Sequence, residues 1–347
     1  MSADESHSQI PILDLHRFDA GDAERAAFLT ELRAAAHEVG FFYVTGHGVD
    51  ARLLGDVMEA SAKFFSLPEA DKLAIEMVNS PHFRGYNRVA SELTRGRPDW
   101  REQLDIGAER EALPPGRNAP AWTRLRGPNQ WPDALPELRP VIIRWQTAAI
   151  QVLIRLVRAF ALTLGQPMDA LEQLYADEPH HLTKLIRYPG RNASSDAEGG
   201  GLQDAGSQGV GAHKDTDMIT LLLQDAHGGL QVETTRGWVD VAPRPGTFVI
   251  NIGEQLELAS DGYLRATMHR VVSPPPGTQR LSAAFFLGAR LDATVSVLTL
   301  PPALATRARG PEQDPGNPLI REVGLNYLKG RLRSHPDVAQ RHHADLL

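Results

Sequence analysis

The sequence predicts a mainly β protein with flanking helices: a double-stranded β-helix (jelly-roll) core joined to a helical N-terminal portion. Two observations carry that reading. Beyond about residue 180 the chain breaks into short β-type runs separated by Gly and Pro turns, the spacing of a sandwich or barrel that a jelly roll closes. Before that point helical spacing dominates, with only short strand patterns between the helices.

Ile10 to Leu15 (I-P-I-L-D-L) reads as a short apolar strand, and Asp22 to Glu38 as a helix with Ala26, Phe28, Leu29, Leu32 and Ala36 on one face. Phe41 to Val44 is a strand bounded by Gly40 and Gly46. A helix follows over Ala51 to Phe65, and Pro68 opens another. Ser80 to Pro132 is rich in turn formers and reads as irregular. Leu138 to Leu164 is the longest helix, with Val141, Trp145, Ala149, Val152, Leu156 and Phe160 in one stripe and Gly165 at its C-terminal cap. The β-type runs are Leu182–Tyr188, Thr220–Gln224, Leu230–Glu233, Trp238–Val241, Thr247–Ile252, Thr267–Val272, Arg280–Leu287 and Thr294–Leu298. A final helix is expected from Ile320 to Arg333. Three parts follow: 1–179, mixed α/β and mostly helical; 180–300, the jelly-roll core; and 301–347, a loop and helix packing on that core.

Composition narrows the function. The 347 residues carry a formal net charge of −7 without a long basic block, so neither nucleic acid nor an anionic membrane is an expected partner. Val141 to Leu164 is apolar but carries Arg144, Arg155 and Arg158, which suits a buried helix better than a membrane span. No export signal is visible at M-S-A-D-E-S, so a cytoplasmic location is expected. There is no cysteine, so any metal site uses nitrogen and oxygen donors.

His213 and Asp215, in G-A-H-K-D-T-D, stand at positions i and i+2 ahead of an apolar run, Met218 to Leu223. In an extended chain they face one side. His-x-Asp recurs at His335/Asp337 and His343/Asp345, but in a polar tail with no apolar strand after either copy. His227 sits in a turn. His269 sits inside an apolar strand pattern and is the candidate third ligand. Further on, Arg280 and Ser282 again share a strand face. An inward arginine needs an anion, and a planar fork beside a hydroxyl suits a carboxylate. Two imidazoles, one carboxylate and open positions are the donor set of non-haem Fe(II) oxygenases.

The chain resembles the isopenicillin-N-synthase-like family of Fe(II)/2-oxoglutarate-dependent dioxygenases. The likeness rests on I-P-I-L-D-L, V-G-F-F-Y-V-T-G-H-G-V (Val39 to Val49), G-P-N-Q-W-P (Gly127 to Pro132), L-I-R-Y-P (Leu185 to Pro189), G-G-L-Q-V (Gly228 to Val232), P-G-T-F-V-I-N-I-G-E (Pro245 to Glu254), M-H-R-V and R-L-S, in that order. It implies Fe(II) on His213, Asp215 and His269. It also implies that 2-oxoglutarate meets Arg280, Ser282 and Tyr188, and that O2 oxidises a small-molecule substrate as 2-oxoglutarate becomes succinate and CO2. The outcome is hydroxylation, desaturation or cyclisation. Two departures stand out: Ile186 where plant members usually carry Asn, and the Gly-rich stretch 194–209. Rival readings are a 2-oxoglutarate-independent iron oxidase of the same fold, a non-catalytic metal- or ligand-binding jelly roll, and a zinc hydrolase.

Strand parity extends the candidate list. If Tyr188 faces inward, so do Ile186 and Lys184, and by the same rule Leu222 and Phe286. Lys184 either grips a polar group of the substrate or runs its stem out to solvent. Arg84 and Tyr86 are further substrate-side candidates. The stretch 194–209 is either a lid or a disordered insertion. The oligomeric state is not readable.

Overall fold

A computed structural model of the chain describes residues 10–114, 116, 119–191, 208–312 and 314–347. The proposed lid lies almost wholly outside them. The N-terminal portion contributes β1 (Ile12–Asp14), α1 (Asp22–Glu38), β2 (Phe41–Thr45), α2 (Ala51–Phe65), α3 (Glu69–Leu73), β3 (Gly85–Asn87), β4 (Leu93–Thr94), β5 (Arg97–Pro98), β6 (Glu102–Gly107), α4 (Leu138–Thr163) and α5 (Glu172–Tyr175). The core adds β7 (His180–Pro189), β8 (Gln208–His213), β9 (Ile219–Gln224), β10 (Leu230–Thr234), β11 (Gly237–Asp240), β12 (Phe248–Ile252), α6 (Glu254–Ala259), β13 (His269–Val272) and β14 (Gln279–Gly288). The chain ends in α7 (Pro302–Ala305), α8 (Val323–Ser334) and α9 (Pro336–His342).

The strands form a major sheet ordered β1-β2-β12-β9-β14-β7-β6-β3 and a minor sheet ordered β11-β10-β13-β8. Side-chain alternation divides the major sheet into two faces. Phe41, Tyr43, Ile186, Tyr188, Val249 and Ala284 join Val210, Leu230, Val232 and Val271 of the minor sheet in an inner apolar cluster. Their neighbours in sequence, such as Phe42, Val44, Leu185, Ile250, Ala283 and Phe285, belong to the larger outer core with the helices. The long helix α4 packs on the outer face behind β9 and β14 and against α1 and α2, with Ile142, Trp145, Ala149, Leu156 and Phe160 fully buried. Its end is fixed by Gly165, whose φ of 70° permits paired bonds from Gly165 N to Leu162 O and Gln166 N to Ala161 O.

Three expectations need correction. Ser80 to Pro132 is not merely irregular: β6 pairs with β7 over Glu102 to Gly107 and extends the major sheet, with β3 at its edge. Gln208 and Gly209, read as loop, begin β8, which pairs with β13. Conversely, Thr294–Leu298 forms no strand beyond an isolated bridge at Thr294; Val295 and Leu298 donate instead to Arg321 O and Ala259 O, outside any ladder.

The C-terminal tail is not a solvated run. His335 and His343 are 1% and 2% exposed. His343 Nε2 meets Pro81 O and His342 Nε2 meets Val78 O, docking α9 on the N-terminal portion. His335 Nε2 faces Arg331 Nη1 at 3.3 Å. A guanidinium only donates, so that nitrogen is an acceptor and the ring is neutral. Burial pushes the His335 pKa down to about 4, against the opposing pull of Glu92. A folded-state value below the unfolded 6.5 means the unfolded chain binds the extra proton first, so stability falls as pH drops from about 6.5 to 4, by up to about 1.4 kcal/mol per unit from this one group. Denaturant midpoints measured across that window are expected to show a shallower acid slope for His335→Gln than for the parent.

Candidate metal centre and active site

β8 and β13 pair so that His269 stands directly opposite His213, and their rings lie 4.3 Å apart, centroid to centroid. Asp215 follows β8 in the bend before β9. One ligand atom from each of the three falls within 4.8 Å of the others. Nε2 of His213 and of His269 approach Asp215 Oδ1 at 3.5 and 3.6 Å. The opposite ring nitrogens are turned away: His213 Nδ1 meets Gly211 O at 2.8 Å and His269 Nδ1 meets Thr267 O at 3.1 Å. A carbonyl needs a donor, which assigns the proton to Nδ1 and leaves each Nε2 lone pair aimed at the shared point.

Asp215 is held just as firmly. Its Oδ2 accepts from Thr220 Oγ1 at 2.6 Å and from Asn251 Nδ2 at 2.8 Å, which leaves Oδ1 for the centre. Burial alone would raise its pKa, but His269 and His213 outweigh burial and hold the carboxylate well below its ordinary range. Gly253 is packed against the same loop: a Cβ there would sit 2.0 Å from Asp217 O. Thr220 and Asn251 were not singled out from sequence. Thr220 shares the inner face of β9 with Leu222, and Asn251 is its cross-strand partner on β12, so parity carried the signal for both.

Arg280 is 1% exposed, yet no carboxylate among the described residues meets it. Its Nη2 donates to Gln224 Oε1 at 2.9 Å, Nη1 lies 3.4 Å from Ser282 Oγ, and its guanidinium stacks over the Tyr188 ring at 5.0 Å. Nε of Arg280 and Nε2 of Gln224 are buried with no partner among the described residues. A buried cation with spare donors is an incomplete site, and an anionic oxygen pair completes it. Gln224 is a second residue missed from sequence; register places it opposite Ser282.

A cavity of about 790 Å³ opens over the centre, with His213 and Asp215 in its wall. Its other walls come from the β4–β5 hairpin, the start of β7, Glu312, residues 314–317 and α8. Phe286 and Lys184 line it as parity requires. Ile186 and Leu222 lie within or against the inner apolar cluster and are not among the lining residues. The Lys184 ammonium is already committed: it pairs with Glu92 Oε1 at 2.9 Å and lies 3.8 Å from Asp105 Oδ2, so neither the free grip nor the solvent-bound stem describes it. Arg84 and Tyr86 are elsewhere. Arg84 spends its guanidinium on the carbonyls of His82, Phe83 and Leu125, and Tyr86 donates to Glu102. In their place α8 brings Tyr327, whose hydroxyl donates to Asp217 Oδ1. Burial pushes the carboxyls of Asp217 and Glu254, both in the wall, up to about 7.

Comparison with known proteins agrees with this geometry. Residues 10–134 match the model of the non-haem dioxygenase N-terminal region named for morphine synthesis, and residues 180–289 match that of the 2OG-Fe(II) oxygenase superfamily. A 2-oxoglutarate-dependent dioxygenase, frbJ, of Dothideomycetidae sp. (strain 11243) is 36% identical over 97% of this chain and 92% of its own length. The chain belongs to the 2OG-Fe(II) oxygenase superfamily. A homoarginine-6-hydroxylase of Arabidopsis thaliana is 32% identical over 84% of this chain and 88% of its own. Among solved structures, a 2OG-Fe(II) oxygenase family protein from Caulobacter crescentus superposes with a TM-score of 0.71 at 27% identity, covering 94% of this chain and 99% of its own. The protein is thus a dioxygenase of the type that uses Fe(II), 2-oxoglutarate and O2.

The donors around Asp215 give a direct test. Thr220→Val and Asn251→Ala are each expected to weaken metal binding by about 10- to 100-fold, read by Mn(II) titration of the folded variants.

Proposed function

We propose that this dioxygenase hydroxylates a free polar small molecule seated in the cavity over His213, Asp215 and His269. The observation that carries the reading is the conjunction of that triad with a buried arginine fork that meets no anion among the described residues. The donor set fits Fe(II): two neutral imidazole nitrogens and one carboxylate oxygen, each oriented by a second hydrogen bond. The fork fits the distal carboxylate of 2-oxoglutarate. When bound, iron and 2-oxoglutarate supply the oxidative chemistry, reducing O2 while 2-oxoglutarate leaves as succinate and CO2.

The chain's own residues bind, orient and exclude water. Arg280, supported by Gln224, Ser282 and the face of Tyr188, fixes one end of the co-substrate. The apolar inner cluster of Ile186, Val249, Val271 and Ala284 lines that end of the barrel. No side-chain base is required, and hydrogen removal from carbon needs only that the substrate be held beside the centre. The relatives named homoarginine-6-hydroxylases support hydroxylation as the outcome and a polar amino acid as the first class to test.

Succinate release that depends on an added substrate separates this reading from a 2-oxoglutarate-independent oxidase. Asp215→Ala is expected to abolish it. Arg280→Gln should raise the KM for 2-oxoglutarate by about tenfold or more, the worth of a buried charge-assisted bond, with a smaller change in kcat. Full turnover in the Asp215 variant refutes the triad.

A further inference from the structure

The metal strand carries an irregularity beside its first ligand. His269 and Val271 of β13 are two residues apart, but their partners on β8, His213 and Val210, are three apart, so β8 bulges by one residue at Gly211 and Ala212. β8 is also the outermost strand of the minor sheet among the described residues. A bulge at a sheet edge takes backbone groups out of the ladder and leaves the local register weakly held. That is a hazard next to a metal ligand, because His213 is oriented by the bond from its Nδ1 to Gly211 O at 2.8 Å, within the bulge itself.

Asp99 supplies what the ladder omits. It is fully buried and spent on both oxygens. Oδ1 accepts from Gly211 N at 3.1 Å and from Gln208 Nε2 at 3.3 Å. Oδ2 accepts from Thr94 Oγ1 at 2.7 Å and from Arg101 Nη2 at 3.1 Å. The backbone repeats the tie, Trp100 N donating to Gln208 O at 3.4 Å. The fit is close: a Cβ on Gly211 would stand 2.9 Å from Thr94 Cγ2 and 3.0 Å from Gln208 Nε2. One oxygen of Asp99 therefore grips the bulge that orients His213. The other grips Thr94, on the hairpin that lines the cavity.

We propose that Asp99 is a positioning residue for the metal ligand His213, and that through it the β4–β5 hairpin bears on the geometry of the metal centre. Asp99 is neither a member of the triad nor a wall residue of the cavity, and it acts by holding the backbone at Gly211. A carboxylate suits this task because it accepts from four donors at once, which neither an amide nor a hydroxyl can do. The proposal rests on the metal reading of the triad.

Titration of the intact chain with Co(II), followed by its visible d–d bands, reads affinity and ligand geometry together. Asp99→Ala is expected to weaken Co(II) binding by about tenfold or more, as for loss of an outer partner of a ligating histidine, and to shift the bands. Thr94→Val keeps a similar shape and removes only the hydroxyl that steadies Asp99. It should shift the bands in the same direction with a smaller loss of affinity. Glu92→Gln takes a carboxylate from the same cluster, one whose partners are Lys184 and Arg101. It should lower the denaturant midpoint and leave the bands as in the parent. Parent-like affinity and bands in Asp99→Ala overturn the proposal; if that variant does not fold, parent-like bands in Thr94→Val overturn it. Bands that shift equally in Glu92→Gln also overturn it, since the cluster then acts through stability alone. A parent chain that binds no Co(II) refutes the metal reading and the proposal with it, whereas the other outcomes bear on Asp99 alone.

Discussion

The structure depends on a single buried carboxylate. Asp215 lies at the end of a strand inside a barrel, where an unpaired charge is costly. It is tolerated because Thr220 and Asn251 satisfy one oxygen, while the other faces the point on which both imidazole Nε2 atoms converge, where a metal cation would compensate it. Each of those four groups comes from the barrel's inner surface, and none is close to Asp215 in sequence except His213 and Thr220. The pairing of β8 with β13 and of β9 with β12 is therefore fixed to the residue. A one-residue slip in either ladder would turn His269 or Asn251 to the wrong face. Geometry at the centre and register in the core are the same constraint.

The rest of the cavity is organised by a second polar cluster, this time among charges that neutralise one another. Glu92 meets Lys184 and Arg101 and lies beside the neutral ring of His335; Asp105 meets Lys184 and Arg331; Asp99 meets Arg101. These residues come from the segment around β4 and β5, from β6, from β7 and from α8. Such a network does not stabilise a fold as efficiently as apolar packing, because each ion must be desolvated. It does specify one arrangement, since removing any member leaves the others uncompensated. Asp99 ties the same cluster to the metal strand: its Oδ1 accepts from Gly211 N at 3.1 Å, and Gly211 O orients His213. The mouth of the cavity and the metal ligands thus share one hydrogen-bonded frame.

Much of this was legible because strand alternation converts sequence spacing into geometry. His213/Asp215, Arg280/Ser282 and Lys184/Ile186/Tyr188 were each read as pairs or triples on one face, and their faces are as parity requires. Helices α1 and α2 have the bounds their patterns predict. The failures share a cause: their signal was not local. β8 begins within a Gly-rich stretch, and β6 carries charges, Glu102 and Asp105, that read as loop but are buried because Lys72, Arg187, Lys184 and Arg331 arrive from elsewhere. Arg84 and Tyr86 looked like ligands for a substrate because their partners, three carbonyls and Glu102, cannot be read from spacing. Lys184 is the instructive middle case: its direction followed from parity, its partner did not.

The division between legible and illegible residues follows the division of chemical labour. The residues proposed for iron and 2-oxoglutarate stand in or beside regular strands, at i and i+2 positions. The surrounding wall is assembled from a hairpin, a loop and a C-terminal helix that meet only in the folded chain. Tyr327 illustrates the dependence: it reaches Asp217 because residue 288, on β14, has no side chain, although the three positions belong to three different elements. Selectivity at such a wall arises from combinations of residues, and a change in any one segment alters the pocket without disturbing the inner face of the barrel. The contact between Tyr327 and Asp217 is therefore informative about this chain in particular, whereas the triad is informative about its superfamily.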